Sequence, residues 1–237
     1  MFEELRPHIV ELRQRLIKIL GVFFVLFFIC FWFWQDLLFW VKIPLTNALG
    51  KNSAIIAKSV PEQIVVAFSL AFFGAFILGL PFYFYQIWRF IAPALYKSEK
   101  KIILAFVFFA SLMFILGTGF GYCIVFPYGF DYLVNFGAEQ IVAMISIGDY
   151  VSFFTRLMIG FGISFELPVV CFFLAKVGLI SVKTLIAFFR YAIVLIFILA
   201  AILTPPDVLS QVLMALPLIV LYGISILVVY FTSKEKA

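Results

Sequence analysis

VSFFTRLMIGFGISFELPVVCFFLA, residues 151–175, is apolar except for Arg156 and Glu166 and a few small polar residues, and a helix of that length crosses a bilayer. At 1.5 Å per residue, Glu166 lies roughly 24 Å from Tyr150 and roughly 15 Å from Lys176, so its carboxylate is inside the hydrocarbon and not at its rim. A charge at that depth costs at least about 3 kcal/mol. The cost implies either a partner for the carboxylate or a protonated state. The rest of the chain reads as wall, anchors and mouth around this polar point.

Composition points the same way. Of 237 residues, 66% are hydrophobic, 12% are charged and 33 are Phe, which excludes a soluble domain. The expected fold class is all-α, a polytopic helical membrane protein. The net charge of +5 raises nucleic acid as a partner. However, the basic residues flank apolar spans and never cluster with exposed aromatics, so anionic lipids are the expected counterpart and nucleic acid is not. Cys30, Cys123 and Cys171 each fall inside a span with none of the short spacings of a metal site. They read as small buried apolar residues, and no metal or cofactor is expected. The first apolar run is too long for a cleavable leader and no small-residue cleavage site follows it, so it is expected to remain as an anchor.

Working outward, six spans are expected, at about 16–34, 64–85, 102–126, 151–175, 185–203 and 208–231. Before the first, Leu5, Ile9, Leu12 and Leu16 recur at helical spacing among alternating acids and bases, which predicts an amphipathic segment lying in the interface. Trp32, Trp34 and Trp40 mark a headgroup belt. A loop over 35–61 carries turn signals that include Pro44, Asn47, Gly50, Lys51 and Asn52, and 86–101 reads as a short basic loop. Pro81 is expected to kink the last turn of the second span, and Pro127 to end the third. In the third span, Gly117-Thr118-Gly119-Phe120-Gly121 places small residues four apart. Either that permits close helix contact or the glycines merely loosen the helix. Thr204-Pro205-Pro206-Asp207 stops the fifth span, because the residue before a proline avoids the α region. No internal repeat or low-complexity linker is visible, so 1–237 reads as a single membrane domain. Its bundle is expected to be concave, with bilayer thinning beside the short or interrupted fifth and sixth spans and Glu166 facing the concavity.

Lysine and arginine placement sets the orientation. Arg6, Arg13, Arg15 and Lys18, then Arg89, Lys97, Lys100 and Lys101, then Lys176, Lys183 and Arg190, and finally Lys234 and Lys236 all fall on one side; only Lys42, Lys51, Lys58 and Arg156 fall on the other. Both termini are therefore expected in the cytoplasm. Acids on that side are few: Glu3, Glu4, Glu11, Glu99 and Glu235.

Two of them sit in recognisable runs. Glu11 lies in His8-Ile9-Val10-Glu11-Leu12-Arg13-Gln14-Arg15, and Glu99 closes Gln86-Ile87-Trp88-Arg89-Phe90-Ile91-Ala92-Pro93-Ala94-Leu95-Tyr96-Lys97-Ser98-Glu99. With Pro44, Phe165-Glu166-Leu167-Pro168 and Thr204-Pro205-Pro206-Asp207-Val208-Leu209-Ser210-Gln211, these motifs run in family order along nearly the whole chain. In this the sequence closely resembles the TatC family, the multispanning receptor subunit of the twin-arginine protein translocase. Ala94 stands where many members have Gly, and the tail is short; neither touches a recognition position.

The resemblance implies a receptor, not an enzyme, for signal peptides bearing paired arginines. Such a receptor hands folded cargo to single-span TatA- and TatB-type partners, associates with further copies of itself in the complex, and uses the proton-motive force across the cytoplasmic (inner) membrane. By the same resemblance Glu11 and Glu99 receive the arginine pair, with Arg13, Arg15, Gln86 and Phe90 in the same mouth. Pro44 and Asp207 match outer-face functional positions, and Glu166 matches the intramembrane acid.

The chemistry suits that assignment. A guanidinium offers a planar fork that a carboxylate accepts bidentately, and a lysine ammonium does not reproduce it. Exposed ion pairs contribute only about 0–1 kcal/mol, so discrimination requires partly desolvated acids, with Trp88, Phe90, Tyr96 and the headgroup boundary excluding water. Blander readings stand beside these. Glu11 is spaced for an ordinary helical ion pair with Arg15, and Glu99 could be a solvated loop acid or a first-turn charge. His8 has no catalytic role. Glu166 is either a protonated carboxyl donating to Ser164 or to a residue of the fifth or sixth span, or a docking point for a polar residue on a partner's membrane helix. An intramembrane protease lacks its constellation here: one peripheral His, no His-Glu-x-x-His and no Asp inside a span. A proton-coupled small-solute carrier is the alternative, since a lone membrane Glu is a common proton site. Against it stand the lack of an inverted repeat and of a second intramembrane charge paired with Glu166. A purely structural scaffold leaves Glu166 unexplained.

Overall fold

The computed structural model describes residues 2–48, 54–95, 99–135, 144–204 and 207–234. In chain order the elements are α1 (Phe2–Trp32), α2 (Trp34–Ala48), β1 (Ala54–Ile56), α3 (Glu62–Leu95), α4 (Glu99–Phe120), a π-helical turn (Gly121–Val125), α5 (Phe126–Asn135), β2 (Met144–Ser146), α6 (Ile147–Val177), α7 (Val182–Leu203) and α8 (Val208–Lys234). Six helical stretches within α1, α3, α4 to α5, α6, α7 and α8 are long and apolar enough to cross a membrane. The chain is thus a predominantly helical, multi-pass membrane protein, as its composition predicts. Six crossings bring both ends to one side, the terminal face; the other is the cap face.

The 151–175 run forms the central helix. Half of the apolar window of α6 is buried, against 6% of that of α1. Its neighbours are α3, α4 and α8, whereas α1 leans chiefly on α3 and α7 chiefly on α8. The helices therefore form an open row with α1 and α7 at its ends. A groove of about 350 Å³ runs between α1, α3 and α6, lined by Phe27, Phe68, Phe72, Thr155 and Ile159 among others. Local signals fix the ends of α6. The Ser146 hydroxyl accepts from the Asp149 N–H at its start, and Gly178 closes it at φ 89°, which glycine adopts without strain.

Glycines at the end of α4 and in the π-helical turn set the distance of the third crossing from α6. A Cβ at Gly117 would lie 2.7 Å from the Phe161 carbonyl oxygen and from Phe165, and one at Gly121 would lie 3.3 Å from Met158, whereas Gly119 faces open space. Of the two readings of this stretch, close contact holds at Gly117 and Gly121, four residues apart. From the other side, Phe114 presses on Gly162, whose Cβ would meet its ring at 2.4 Å.

Helices run further than the apolar pattern alone implies. The amphipathic start and the first span are one continuous helix, α1. The expected loop over 86–101 is helical through Leu95 and again from Glu99, because Trp88 continues the buried face of α3. Its ring stacks on Phe106 at 3.9 Å and meets Phe173 edge-on. Trp88 thus pins α3 to α4 and α6 and does not screen a mouth. Pro81 lies well inside α3, and Pro44 lies inside α2 instead of a turn. The third span does not stop at Pro127. The π-helical turn immediately before it widens the helix, and Pro127 falls in the first turn of α5, where its missing N–H and its ring are tolerated.

On the cap face β1 and β2 pair in parallel, Ala54 opposite Met144. The Glu62 carboxylate, at the start of α3, accepts from the Gly148 N–H at 2.8 Å, the Ser59 N–H at 3.3 Å, the Ser146 hydroxyl and the Lys58 N–H. Lys58 also pairs with Asp149, and that hydrogen bond holds the ammonium above its ordinary pKa. One carboxylate thus ties together the segments that lead into α3 and α6.

Candidate functional site

Polar chemistry on the terminal face gathers where α1 meets α3. Glu11 and Arg15 lie one turn apart on α1 and form an ion pair, in which Arg15 Nε donates to Glu11 Oε1 at 3.1 Å. Arg15 Nη1 also reaches Oε1 of Gln86 on α3 at 3.4 Å, a long contact. Arg15 and Gln86 are largely buried, whereas Glu11 keeps 42% of its side chain exposed. The guanidinium therefore bridges two helices, and its carboxylate partner stays open to the aqueous side. Arg13 projects as an exposed residue, and Phe90 is half-buried one turn beyond Gln86. Glu99 begins α4, but its side chain lies outside the described residues, as do Tyr96 and the side chain of His8.

Glu166 stands apart, inside α6. Both carboxylate oxygens are buried without a hydrogen-bond partner among the described residues. Ser164, the nearest candidate partner in sequence, donates instead to the Gly160 carbonyl of its own helix at 2.7 Å. Glu166 lies seven residues from Ile159 and eleven from Thr155, positions that share one helix stripe, and those two residues line the groove between α1, α3 and α6. A buried carboxylate without a partner is a costly arrangement that packing does not require.

On the cap face, Asp207 caps α8. Its carboxylate accepts from the Ser210 N–H at 2.8 Å and from the Ser210 hydroxyl. Gln211 then donates to the Phe197 carbonyl of α7 at 3.0 Å, so the motif joins α7 to α8; Pro205 and Pro206 lie outside the described residues. Pro44 is buried in α2. Lacking an N–H, it leaves the Trp40 carbonyl, four residues earlier, without its helical donor, and the Tyr122 hydroxyl of the π-helical turn donates to that carbonyl at 3.1 Å. Tyr150 donates to the neighbouring Val41 carbonyl at 2.6 Å. The proline thereby opens an acceptor that docks α2 onto the third crossing.

Sequence reasoning missed Glu62, Tyr122 and Tyr150. For Glu62 the signal was present: Ser59-Val60-Pro61-Glu62 has the spacing of a capping box, in which the acid reaches back to the N–H of the first residue. The two tyrosines show their roles only once α2 is known to be helical.

Fold and site together define a multispanning membrane protein. Among the described residues its polar chemistry includes a carboxylate–guanidinium cluster at one helix end, a buried carboxylate in the central helix, and a hydrogen-bonded cap on the opposite face. The TatC family model, described as Sec-independent protein translocase protein, matches residues 7–217. The Sec-independent protein translocase protein TatC of Helicobacter pylori is 52% identical over 96% of this chain and 89% of its own length. That of Campylobacter jejuni is 47% identical over 97% and 94%, and that of Escherichia coli 36% identical over 94% and 87%. A crystal structure described as the twin-arginine translocase receptor TatC superposes with a TM-score of 0.88 at 35% identity, covering 95% of this chain and 99% of that one. The chain belongs to the TatC family.

Proposed function

We propose that this chain is the receptor subunit of a twin-arginine translocase, residing in the cytoplasmic membrane as a single membrane domain with both termini in the cytoplasm. In this reading the terminal face receives signal peptides bearing paired arginines. Glu11 accepts one guanidinium, taking the place that Arg15 fills in this structure, and Glu99 accepts the other. Arg13, Gln86 and Phe90 shape the same mouth. The observation that carries the proposal is the Glu11–Arg15–Gln86 cluster, in which a half-exposed carboxylate already holds a guanidinium between two helices. A guest arginine presents the same fork to the same acceptor.

Glu166 offers the second contact. Its unpartnered oxygens suit a polar residue on the membrane helix of a TatA- or TatB-type partner, which would supply the missing donor. Pro44 and Asp207 act by holding the cap face together, through the Trp40–Tyr122 bond and the start of α8. The chain itself catalyses no reaction. It works with its single-span partners and further copies of itself, and the proton-motive force drives folded cargo across.

Site-specific cross-linking of a twin-arginine peptide tests the proposal. Changing both Glu11 and Glu99 to Ala is expected to abolish the cross-link while the protein still folds; an unchanged cross-link overturns the assignment.

A further inference from the structure

Arg156 belongs to none of the polar clusters of the two faces. It lies inside α6 on the cap-face side, is exposed, and has no ion pair or hydrogen bond among the described residues. Glu166, the other charge within the apolar run, is about 15 Å further along the helix, too far to neutralise it.

Where α7 ends explains why a cation is tolerated there. Leu203, its last residue, rests on Gly160; a Cβ on that glycine would lie 2.5 Å from Leu203 Cδ1. From Gly160, α6 continues toward the cap face for about 20 Å before it reaches Ile147. Along this edge α7 itself stops near Gly160, and Arg156 stands one turn beyond it. Helical side chains lean toward the N-terminus, which for α6 is the cap face, so the guanidinium extends further in that direction.

Beside Arg156 an apolar cleft of about 330 Å³ opens between α6 and α7, lined by Ile159, Ile163, Leu199 and Ile202 together with Ser164. The Ser164 hydroxyl is turned back to the Gly160 carbonyl, so the walls present hydrocarbon, and Ile163, Leu199 and Ile202 are strongly exposed. Among the described residues Arg156 is the one charged residue lining the cleft, and the rest of the lining is apolar or turned away, which suits an acyl chain beside an anionic headgroup. A partner helix would have to carry an acid into the apolar layer at a cost of up to about 3 kcal/mol, whereas a lipid brings its phosphate from the adjoining headgroup layer.

We infer that the cleft between α6 and α7 binds one anionic phospholipid of the cap-face leaflet, with its phosphate on the Arg156 guanidinium and an acyl chain against Ile163, Leu199 and Ile202. The planar fork of arginine donates to two phosphate oxygens at once. Bound this way, the lipid draws its headgroup inward to the level at which α7 ends.

Native mass spectrometry of the detergent-purified full chain, titrated with phosphatidylglycerol or with phosphatidylcholine of the same acyl chains, tests the site. The wild type should retain one phosphatidylglycerol at least about tenfold more tightly than phosphatidylcholine. Arg156→Gln should remove that preference and leave phosphatidylcholine unchanged, and Arg156→Lys should keep part of it. Equal binding of the two lipids by the wild type overturns the proposal, and that comparison needs no variant to fold. So does an undiminished preference in Arg156→Gln. A photoreactive group at position 163 should label lipid in native membranes; labelling of a polypeptide instead would contradict lipid occupancy.

Discussion

At the scale of single residues, the two acids that matter are held in opposite ways. The carboxylate oxygens of Glu166 are buried and have no partner among the described residues, so removing its polarity relieves the isolated subunit of a buried unsatisfied group, typically worth about 1–3 kcal/mol. Glu166→Leu is expected to raise the thermal unfolding midpoint in detergent and to lower transport. Glu166→Gln, which keeps hydrogen bonding, should retain transport that Ala loses; a Gln variant as inactive as Ala would rule out a hydrogen-bonding role. Glu11 is instead held by Arg15 and half open. Helical spacing predicted the pairing of Glu11 with Arg15, and that pair is present; family resemblance singled out the same carboxylate for a guest arginine, the role proposed for it. Pro44 behaves likewise. Tyr122→Phe should cost about 1 kcal/mol by orphaning the Trp40 carbonyl. In a Pro44→Ala background, where the helix supplies its own donor, the cost should vanish, and a thermal-unfolding double-mutant cycle measures the difference.

At the scale of elements, spacing was legible and endpoints were not. All six crossings follow from apolar length, and the Gly117 and Gly121 contacts follow from small residues four apart. Gly117→Ala is expected to destabilise by about 1–3 kcal/mol, because its Cβ would press on a backbone carbonyl that has no room to move. Gly119→Ala, facing open space, should be neutral or stabilising. Equal effects in thermal unfolding would refute this account of the α4–α6 contact. The helical extension of α3 to Leu95 was hidden because basic residues and Pro93 read locally as loop signals, while the burial of Trp88 that continues the helix is a tertiary effect. Pro127 misled for a related reason: a proline ends a helix of regular pitch, but the π-helical turn before it changes the pitch.

For the whole molecule, the middle of the row is tied on the cap face, whereas its end helices α1 and α7 each lean chiefly on one neighbour. The Glu62 carboxylate, with its four donors, locks the segments leading into α3 and α6. Glu62→Ala should therefore speed protease cleavage between α2 and α3 without changing peptide binding on the far face; unchanged cleavage would show that the lock is dispensable. The groove beside α1 and the buried carboxylate of α6 could be foreseen only in part. An expensive charge announces itself in sequence, but the side chains that leave it without a partner come from helices far apart along the chain. The account depends most on the terminal face telling guanidinium from ammonium. The affinity of the purified chain for a twin-arginine signal peptide, measured beside a twin-lysine control, tests this most directly. At least about tenfold tighter binding of the arginine peptide is predicted, a difference of about 1.4 kcal/mol, and it should disappear in the Glu11→Gln, Glu99→Gln double variant. Equal affinity for the two peptides would contradict the account.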